Sequence, residues 1–209
     1  MGKGARAVYN STLCYLENHR GEYLMLHRVK KQQDVNQGKW IGVGGKFEEG
    51  ESPEECLLRE VREETGLILT KYRFRGVVTF LTDGGWEGEY MYLFTADGWE
   101  GQLRTDCPEG ELAWVPKVRL SELALWEGDE IFLELLERDH PPFLLTLEYA
   151  GGRLVRAVAP CSSYTARLPI WEGDQIFLDL LAREHPAFLL TLEYAGGKLI
   201  RAVLDGKRL

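Results

Sequence analysis

The pattern of apolar and polar residues predicts strands around one well-bounded helix. Two strands are predicted between Ala5 and Arg28, joined by the polar turn Glu-Asn-His-Arg-Gly-Glu. Further strands are predicted from Gly76 to Leu81, from Glu89 to Thr95 after the turn Asp-Gly-Gly-Trp-Glu-Gly, and from Glu111 to Val115. Strands interrupted by helices indicate a mixed sheet with helices packed on it, an α/β (α+β) layered domain.

The best-defined helix follows a glycine-rich segment, Trp40-Ile-Gly-Val-Gly-Gly-Lys46, whose glycines would let the backbone approach a ligand closely. Ser52 is a natural N-cap, Pro53 suits the first helical position, and Glu55 completes a capping box. Gly66 stands where a left-handed residue ends a helix. The sequence therefore predicts a helix between Ser52 and Gly66.

The end of the chain contains an internal repeat. Residues 126–158 and 171–203 are related by a shift of 45, and only seven of the 33 aligned positions differ. Each copy predicts a short helix followed by a β-hairpin, and the small and polar residues between the copies are typical of a linker. We therefore predict a main domain over residues 1–158, a linker over 159–170, and a second copy of the helix and hairpin over 171–209.

The role of the second copy stays open at this point. It could pack beside the first copy, swap into a neighbouring subunit, or replace the first copy, so that Trp171 and Asp174 take the places of Trp126 and Asp129. Both copies carry the same apolar face, and unpaired apolar strands are a liability when they are exposed. We therefore predict self-association, as a homodimer or another assembly, with swapping of the duplicated segment as one route to it.

Charge and composition narrow the function classes. The chain has 25 Lys+Arg against 33 Asp+Glu, a net charge of −8 with no basic block, which argues against a nucleic-acid polymer or an anionic membrane as partner. No apolar stretch approaches the roughly 20 residues that cross a bilayer, and no secretory signal is evident, so we predict a cytoplasmic protein. The four cysteines, at positions 14, 56, 107 and 161, lack zinc-site spacing and are expected to be reduced.

Three carboxylates crowd one flank of the predicted helix. At about 100° per residue, Glu60, Glu63 and Glu64 share an arc of roughly 100°. Like charges near a helix C-terminus are destabilising, so a cation should compensate them. Clustered carboxylate oxygens suit Mg²⁺ or Mn²⁺. The alternative is a solvated acidic face paired with Arg59 and Arg62.

The segment from Gly45 to Leu67 resembles the signature of the Nudix hydrolases over its full length. It reads Gly45-x5-Glu51-x7-Arg59-Glu60-Val61-x-Glu63-Glu64-x-Gly66-Leu67 and matches every fixed position. The resemblance implies an α/β/α sandwich with a mixed sheet. It also implies a hydrolase of nucleoside diphosphates linked to another moiety, with Mg²⁺ as cofactor and Mn²⁺ as a possible substitute.

The same resemblance implies residue roles. The metal ligands would be the Gly44 carbonyl, Glu60, Glu63, Glu64 and, from a later loop, Glu109. The catalytic set would be Arg59, Glu60 and Glu63, with Arg59 orienting the carboxylates through its fixed fork of donors. Structural roles would fall to Gly45, Glu51 and Gly66. Whether Glu60, Glu63 or an outside residue accepts the proton of the attacking water stays open.

Residues beyond the signature resemble the MutT-type triphosphatases that remove oxidised purine nucleotides such as 8-oxo-dGTP. They are Trp40-x-Gly-x-Gly-Gly-Lys and Trp126-x-x-Asp129 before an apolar helix and hairpin. Trp126 would stack on a purine and Asp129 would accept hydrogen bonds from it; alternatively, they are a core anchor and a helix N-terminal charge. Ile41 and Gly128 depart from the pattern of some oxidised-guanine readers, which carry a polar residue at these positions.

Two basic residues, Arg28 and Lys46, are predicted phosphate contacts, with ordinary salt bridges as the alternative. The predicted reaction converts a nucleoside triphosphate, a small-molecule substrate, into the monophosphate and pyrophosphate. A second hypothesis keeps the chemistry but takes ADP-ribose, a dinucleoside polyphosphate or another nucleoside diphosphate derivative. A third is a non-catalytic module that senses nucleotides.

Overall fold

A computed structural model describes residues 8–30, 34–82, 88–159, 176, 190–195, 198–204 and 207–208. The chain divides into two compact units, Met1–Ala159 and Pro160–Leu209. The first unit contains β1 (Val8–Leu16), β2 (Glu22–His27), β3 (Trp40–Ile41), α1 (Pro53–Thr65), β4 (Ile68–Thr82), β5 (Gly88–Glu100), β6 (Glu111–Pro116), a 3-10 helix (Lys117–Glu122), α2 (Asp129–Glu137), β7 (Phe143–Ala150) and β8 (Arg153–Val158).

The first unit is built on a mixed five-stranded sheet with the order β1-β5-β4-β7-β8. β1 runs parallel to β5 and β4 runs parallel to β7, whereas the β5–β4 and β7–β8 pairs are antiparallel. A smaller antiparallel sheet has the order β3-β2-β6. The mixed sheet expected from the sequence is therefore confirmed.

Successive residues of β1 face opposite sides of the sheet, and each side carries one helix. Tyr15 belongs to the apolar cluster that contains Phe132 of α2. Cys14 and Leu16 belong to the cluster that contains Leu57 of α1. Because neighbouring side chains of a strand point to opposite faces, the two helices cover opposite faces of the sheet. The result is an α/β/α sandwich, as the sequence predicted.

Both predicted ends of α1 are confirmed. The Ser52 hydroxyl accepts a hydrogen bond from the Glu55 backbone N–H at 3.3 Å, and the Glu55 carboxylate accepts one from the Ser52 backbone N–H at 2.9 Å. Gly66 adopts a left-handed conformation with φ of 77° and donates its N–H to the Arg62 carbonyl. These interactions fix both ends of α1, and a separate hydrogen bond, from the Gly44 N–H to Glu64, joins its C-terminal half to the glycine-rich segment.

The strands on either side of residues 83–87 are longer than predicted. β4 extends over Ile68–Thr82 rather than 76–81, and β5 over Gly88–Glu100 rather than 89–95. Register shifts at Leu69/Lys71, Lys71/Tyr72 and Phe74/Gly76 interrupt the alternation of the β4–β5 ladder, so the sequence pattern does not show the full strands. The predicted Asp-Gly-Gly-Trp-Glu-Gly turn falls on residues 83–88, of which 83–87 lie outside the described residues.

The first copy of the repeat forms the predicted helix and hairpin, α2 with β7 and β8. In the second unit, β9 (Leu190–Ala195), β10 (Lys198–Leu204) and β11 (Lys207–Arg208) form an antiparallel sheet with the order β11-β10-β9. Apart from residue 176, the predicted helix of the second copy lies outside the described residues, as does the linker after residue 159. The domain boundaries and the homodimer stay predictions.

Neither α-helix in the described parts of the chain has the length and apolarity that a membrane span requires.

Candidate active site

The glycine-rich segment before α1 packs directly on β1. Thr12 donates its backbone N–H to the Gly45 carbonyl at 2.9 Å, and a Cβ on Gly44 would lie 2.1 Å from the Thr12 carbonyl oxygen. A Cβ on Gly45 would lie 2.3 Å from Oε1 of Glu60. Gly44 therefore needs to be glycine, because a side chain there would clash with the β1 backbone, whereas a side chain at Gly45 would displace the Glu60 carboxylate.

Arg59 joins three of the carboxylates that the sequence singled out. Its Nε and Nη2 donate to the two oxygens of Glu51, each at 2.8 Å, and its Nη1 donates to Glu60 at 2.7 Å and Glu63 at 3.4 Å. Nη2 also donates to the Lys46 carbonyl at 3.0 Å. This bidentate fork fixes Glu51 across the turn that leads into α1.

The hydrogen bonds from Arg59 lower the pKa of Glu51 to about 2, and the same bonds raise the pKa of Arg59. A further backbone hydrogen bond, from the Glu48 N–H at 2.8 Å, also lowers the Glu51 pKa. Glu51 therefore carries its negative charge at neutral pH. Glu63 is the most solvent-accessible carboxylate of the Arg59 network, with 61 % of its side chain exposed.

Glu64 lies on the inner side of α1 and connects it to a second arginine. Its side chain is buried, and Oε2 accepts a hydrogen bond from the Gly44 N–H at 3.0 Å. Arg28 Nη1 lies 3.9 Å from Glu64 Oε1 and contacts Glu109, while Nη2 contacts Asp34 at 2.6 Å. Arg28 thus makes the ion pairs that the sequence left as the alternative to a phosphate contact.

The carbonyl of Lys46, a predicted phosphate contact, accepts a hydrogen bond from Arg59, but its ammonium group contacts an aromatic ring instead of a carboxylate. Its Nζ stands over the ring of Tyr9, 3.9 Å from the centroid. The Tyr9 hydroxyl donates to Glu89 at 2.9 Å, and the Ser11 hydroxyl donates to the same carboxylate at 2.5 Å. A cation over an aromatic face is attracted to it without losing all of its hydration, so this ammonium can turn toward an anion.

The carboxylates of α1 fit a hard divalent cation in donor chemistry, and two arginines now bind them. Within the described ranges, no three His, Cys, Asp or Glu side chains converge closely enough to hold a metal ion. Nη1 of Arg59 is shared by Glu60 and Glu63, and Nη1 of Arg28 is shared by Glu64 and Glu109. The set offers only oxygen donors, which Mg²⁺ and Mn²⁺ prefer.

A second group of predicted residues meets at the start of α2. Trp126 donates its indole N–H to Asn36 Oδ1 at 2.8 Å, Lys39 Nζ lies 4.7 Å from its ring centroid, and the Tyr149 ring meets it edge-on at 6.0 Å. Asp129 is 4 % exposed. The structure thus brings both predicted base contacts, Trp126 and Asp129, to one place.

Burial raises the pKa of Asp129 to about 7. A backbone hydrogen bond at Trp126 and the positive charge of Lys39 partly oppose this shift, whereas the negative charges of Glu89 and Glu130 add to it. Near neutral pH, Asp129 therefore exists in both forms. The protonated form donates a hydrogen bond and the ionised form only accepts them.

Sequence reasoning did not name four of these residues: Asn36, Lys39, Glu89 and Tyr149. Asn36 and Lys39 lie in a polar loop with no periodic pattern, and Glu89 meets Tyr9 only through the β1–β5 pairing across 80 residues. Tyr149 carried a usable signal, because alternation with Leu147 places it on the inner face, where a buried hydroxyl needs a partner. That partner is the Gly128 N–H at 2.8 Å.

Comparison with known proteins places these residues in a family context. The NUDIX domain family matches residues 9–136. The chain is 32 % identical to "Uncharacterized Nudix hydrolase YvcI" of Bacillus subtilis (strain 168) over 132 residues, covering 58 % of this chain and 82 % of that protein. It is 31 % identical to "Oxidized purine nucleoside triphosphate hydrolase" of Mus musculus over 106 residues, covering 51 % and 67 %.

The fold of this chain also resembles solved structures of MutT proteins. The MutT protein of Bacillus halodurans matches with a TM-score of 0.64 at 26 % identity, covering 72 % of this chain and 97 % of that one. The MutT protein of Methanosarcina mazei Go1 matches with a TM-score of 0.57 at 26 % identity, covering 66 % and 98 %. The similarity therefore covers almost the whole of each of those chains.

Proposed function

The chain belongs to the Nudix hydrolase family, and from that premise we propose that it is a Mg²⁺-dependent hydrolase that converts a nucleoside triphosphate into the monophosphate and pyrophosphate. The observation that carries the proposal is the network around Arg59, which orients Glu51 and Glu60 at the end of a glycine-rich segment. Nudix hydrolases generally use divalent metal ions, and these carboxylates have the donor chemistry for one.

The metal would be held by Glu60, Glu63, Glu64, Glu109 and the Gly44 carbonyl. When bound, Mg²⁺ would neutralise the polyphosphate and lower the pKa of the attacking water. Arg59 fixes the rotamer of Glu60 through a 2.7 Å hydrogen bond, and the Gly44 N–H fixes Glu64 through a 3.0 Å bond. Pre-oriented ligands of this kind lower the cost of assembling the site.

The chain's own residues would then handle the proton and the phosphates. Glu63 is the most exposed of the three helix carboxylates and makes only a 3.4 Å contact with Arg59, so it can reach a water and accept its proton. Lys46 can leave the Tyr9 ring for a phosphate oxygen at small cost. Arg28 would also bind a phosphate oxygen once a metal ion binds Glu64 and Glu109, two of its present partners.

We further propose an oxidised purine nucleotide, such as 8-oxo-dGTP, as the preferred substrate. Trp126 would stack on the base, and the buried Asp129 would hydrogen-bond its edge in the form that the base requires. Two relatives carry the name "Oxidized purine nucleoside triphosphate hydrolase", those of Mus musculus and Danio rerio. Ile41 offers no hydrogen bond, so selectivity would depend on Asp129.

The test is a panel of 8-oxo-dGTP, dGTP, ATP, ADP-ribose and a dinucleoside polyphosphate, each with Mg²⁺ and each with EDTA, with every product identified. We expect pyrophosphate and monophosphate from the triphosphates, no reaction with EDTA, and at least a 100-fold loss in Glu64→Gln. The matched control is Glu54→Gln, on the exposed part of the same helix. Turnover of ADP-ribose alone would overturn the substrate class, and equal rates in Glu64→Gln would overturn the site.

A further inference from the structure

The first copy of the repeat docks on the main sheet at a place defined here as the tail docking site. This site is the edge of β4 from Gly76 to Thr82, together with the apolar cluster under α2. β7 pairs with it in parallel, with Val78 opposite Leu145 and Thr79 opposite Thr146. Phe132 of α2 is fully buried in the same cluster.

The two copies differ only where the docked copy faces solvent. The seven differing positions of the first copy are 130, 134, 137, 139, 142, 153 and 155, and all seven are exposed. Every side chain that the first copy buries has the identical residue 45 positions later; Phe132, for example, corresponds to Phe177. A core tolerates changes of volume poorly, so identity at these positions preserves the fit to the docking site.

The charges at the edge of the docking site are also kept. Arg75 of β4, which is 4 % exposed, lies 3.3 Å from Asp139, which follows α2 in the first copy. The second copy has Glu184 at this position. Within the first copy, Arg153 pairs with Glu127 at 2.5 Å, and the corresponding residues are Lys198 and Glu172. The second copy can thus make the same ion pairs, which matters because Arg75 is buried.

The hairpins themselves have the same geometry. Glu148 stands opposite Arg156 with a bulge before Tyr149, and Glu193 stands opposite Arg201 with a bulge at the corresponding place. Tyr194 of the second hairpin is only half-buried, whereas Tyr149, the corresponding residue of the first, is 8 % exposed. The second hairpin therefore has the right shape for the docking site, and docking would bury Tyr194 further if it took the place of Tyr149.

We propose that the two copies are interchangeable occupants of the tail docking site, and that the second copy displaces the first within the same chain in a minor population. Docking of the second copy replaces the connection of about six residues before α2 by one of about 50, which disfavours it by on the order of 25-fold. The exchange would bring Trp171 and Asp174 to the positions of Trp126 and Asp129.

Disulfide trapping tests the exchange directly, because Thr146 and Thr191 are corresponding residues. With Thr79→Cys, we expect Thr146→Cys to form a disulfide within the monomer in nearly all molecules. Thr191→Cys should form one within the monomer slowly, through a population of a few per cent. Peptide mass spectrometry separates these bonds from those of the native cysteines. The proposal would be overturned if the disulfide between positions 79 and 191 formed only between two chains, or did not form at all.

A matched pair of core variants gives a second readout in the full-length chain. Phe132→Asp disables the first copy and Phe177→Asp the second. We expect each single variant to keep a cooperative thermal transition and the double variant to lose it. Phe132→Asp should also raise the yield of the disulfide between positions 79 and 191 at least tenfold. If Phe132→Asp alone is as unfolded as the double variant, the copies are not interchangeable.

Discussion

The two helices of the first unit place the same chemical group, a carboxylate, in opposite environments. Just before α1, hydrogen bonds from Arg59 of that helix lower the pKa of Glu51 to about 2. At the start of α2, burial raises the pKa of Asp129 to about 7. The first environment presents fixed negative charge, which suits a cation, and the second presents a carboxyl that can be neutral, which suits a base. Under the proposed function, the residues around α1 would act on the polyphosphate and those at the start of α2 would bind the base.

The largest expected effect comes from removing Arg59, whose guanidinium group holds the carboxylates around α1 in place. In Arg59→Ala, Glu51, Glu60 and Glu63 lose their shared partner and repel one another. We expect nucleotide hydrolysis to fall at least about 100-fold and the free energy of unfolding to fall by about 3 kcal/mol.

The control is Arg62→Ala, an exposed arginine on the same helix. Steady-state kinetics and urea unfolding should separate the two variants clearly. An Arg59→Ala protein with wild-type rates would remove the basis for treating this network as the organiser of the site.

The buried environment of Asp129 makes the free energy of unfolding depend on pH. Asp129 holds its proton up to a pH of about 7 in the folded protein but releases it near 3.8 when unfolded. Its contribution to stability is therefore complete below about 3.8 and is lost as the pH rises to about 7. Asp129→Asn cannot ionise, so its stability relative to the wild type should increase by about 2 kcal/mol between pH 5 and pH 8.

Urea unfolding of both proteins across this range measures the difference. Glu130→Asn, an exposed neighbour, is the matched control and should show little pH dependence. A constant difference between wild type and Asp129→Asn from pH 5 to pH 8 would mean that Asp129 titrates at an ordinary pH.

The smallest expected effects concern how each helix begins. α1 is capped by its own Ser52, whereas the N–H of Gly128 at the start of α2 donates to the Tyr149 hydroxyl of a later strand. Ser52→Ala and Tyr149→Phe should each lower the free energy of unfolding by about 1 kcal/mol. Only Tyr149→Phe should also change the Michaelis constant, since the lost hydroxyl accepts a hydrogen bond from the N–H of Gly128, which lies between Trp126 and Asp129. An equal change in both variants would argue against a base site at the start of α2.

The same contrast, between partners close in sequence and partners from distant segments, explains which parts of the molecule the sequence could predict. α1, its caps and the carboxylate flank depend on residues within about four positions of each other, and all were predictable. Glu89 beside Tyr9, and Asn36 beside Trp126, meet only through the packing of distant segments. The ion pairs of Arg28 could be foreseen as a possibility, but their partners could not, because they come from three separate segments.

The central claim is that α1 holds a divalent cation while the start of α2 does not. Binding of Mn²⁺, followed by loss of the electron paramagnetic resonance signal of the hydrated ion, tests it without substrate. We expect Glu60→Gln and Glu64→Gln to weaken Mn²⁺ binding at least about tenfold, and Asp129→Asn to bind as the wild type does. Unchanged affinity in both glutamate variants, or an equal loss in Asp129→Asn, would contradict the account.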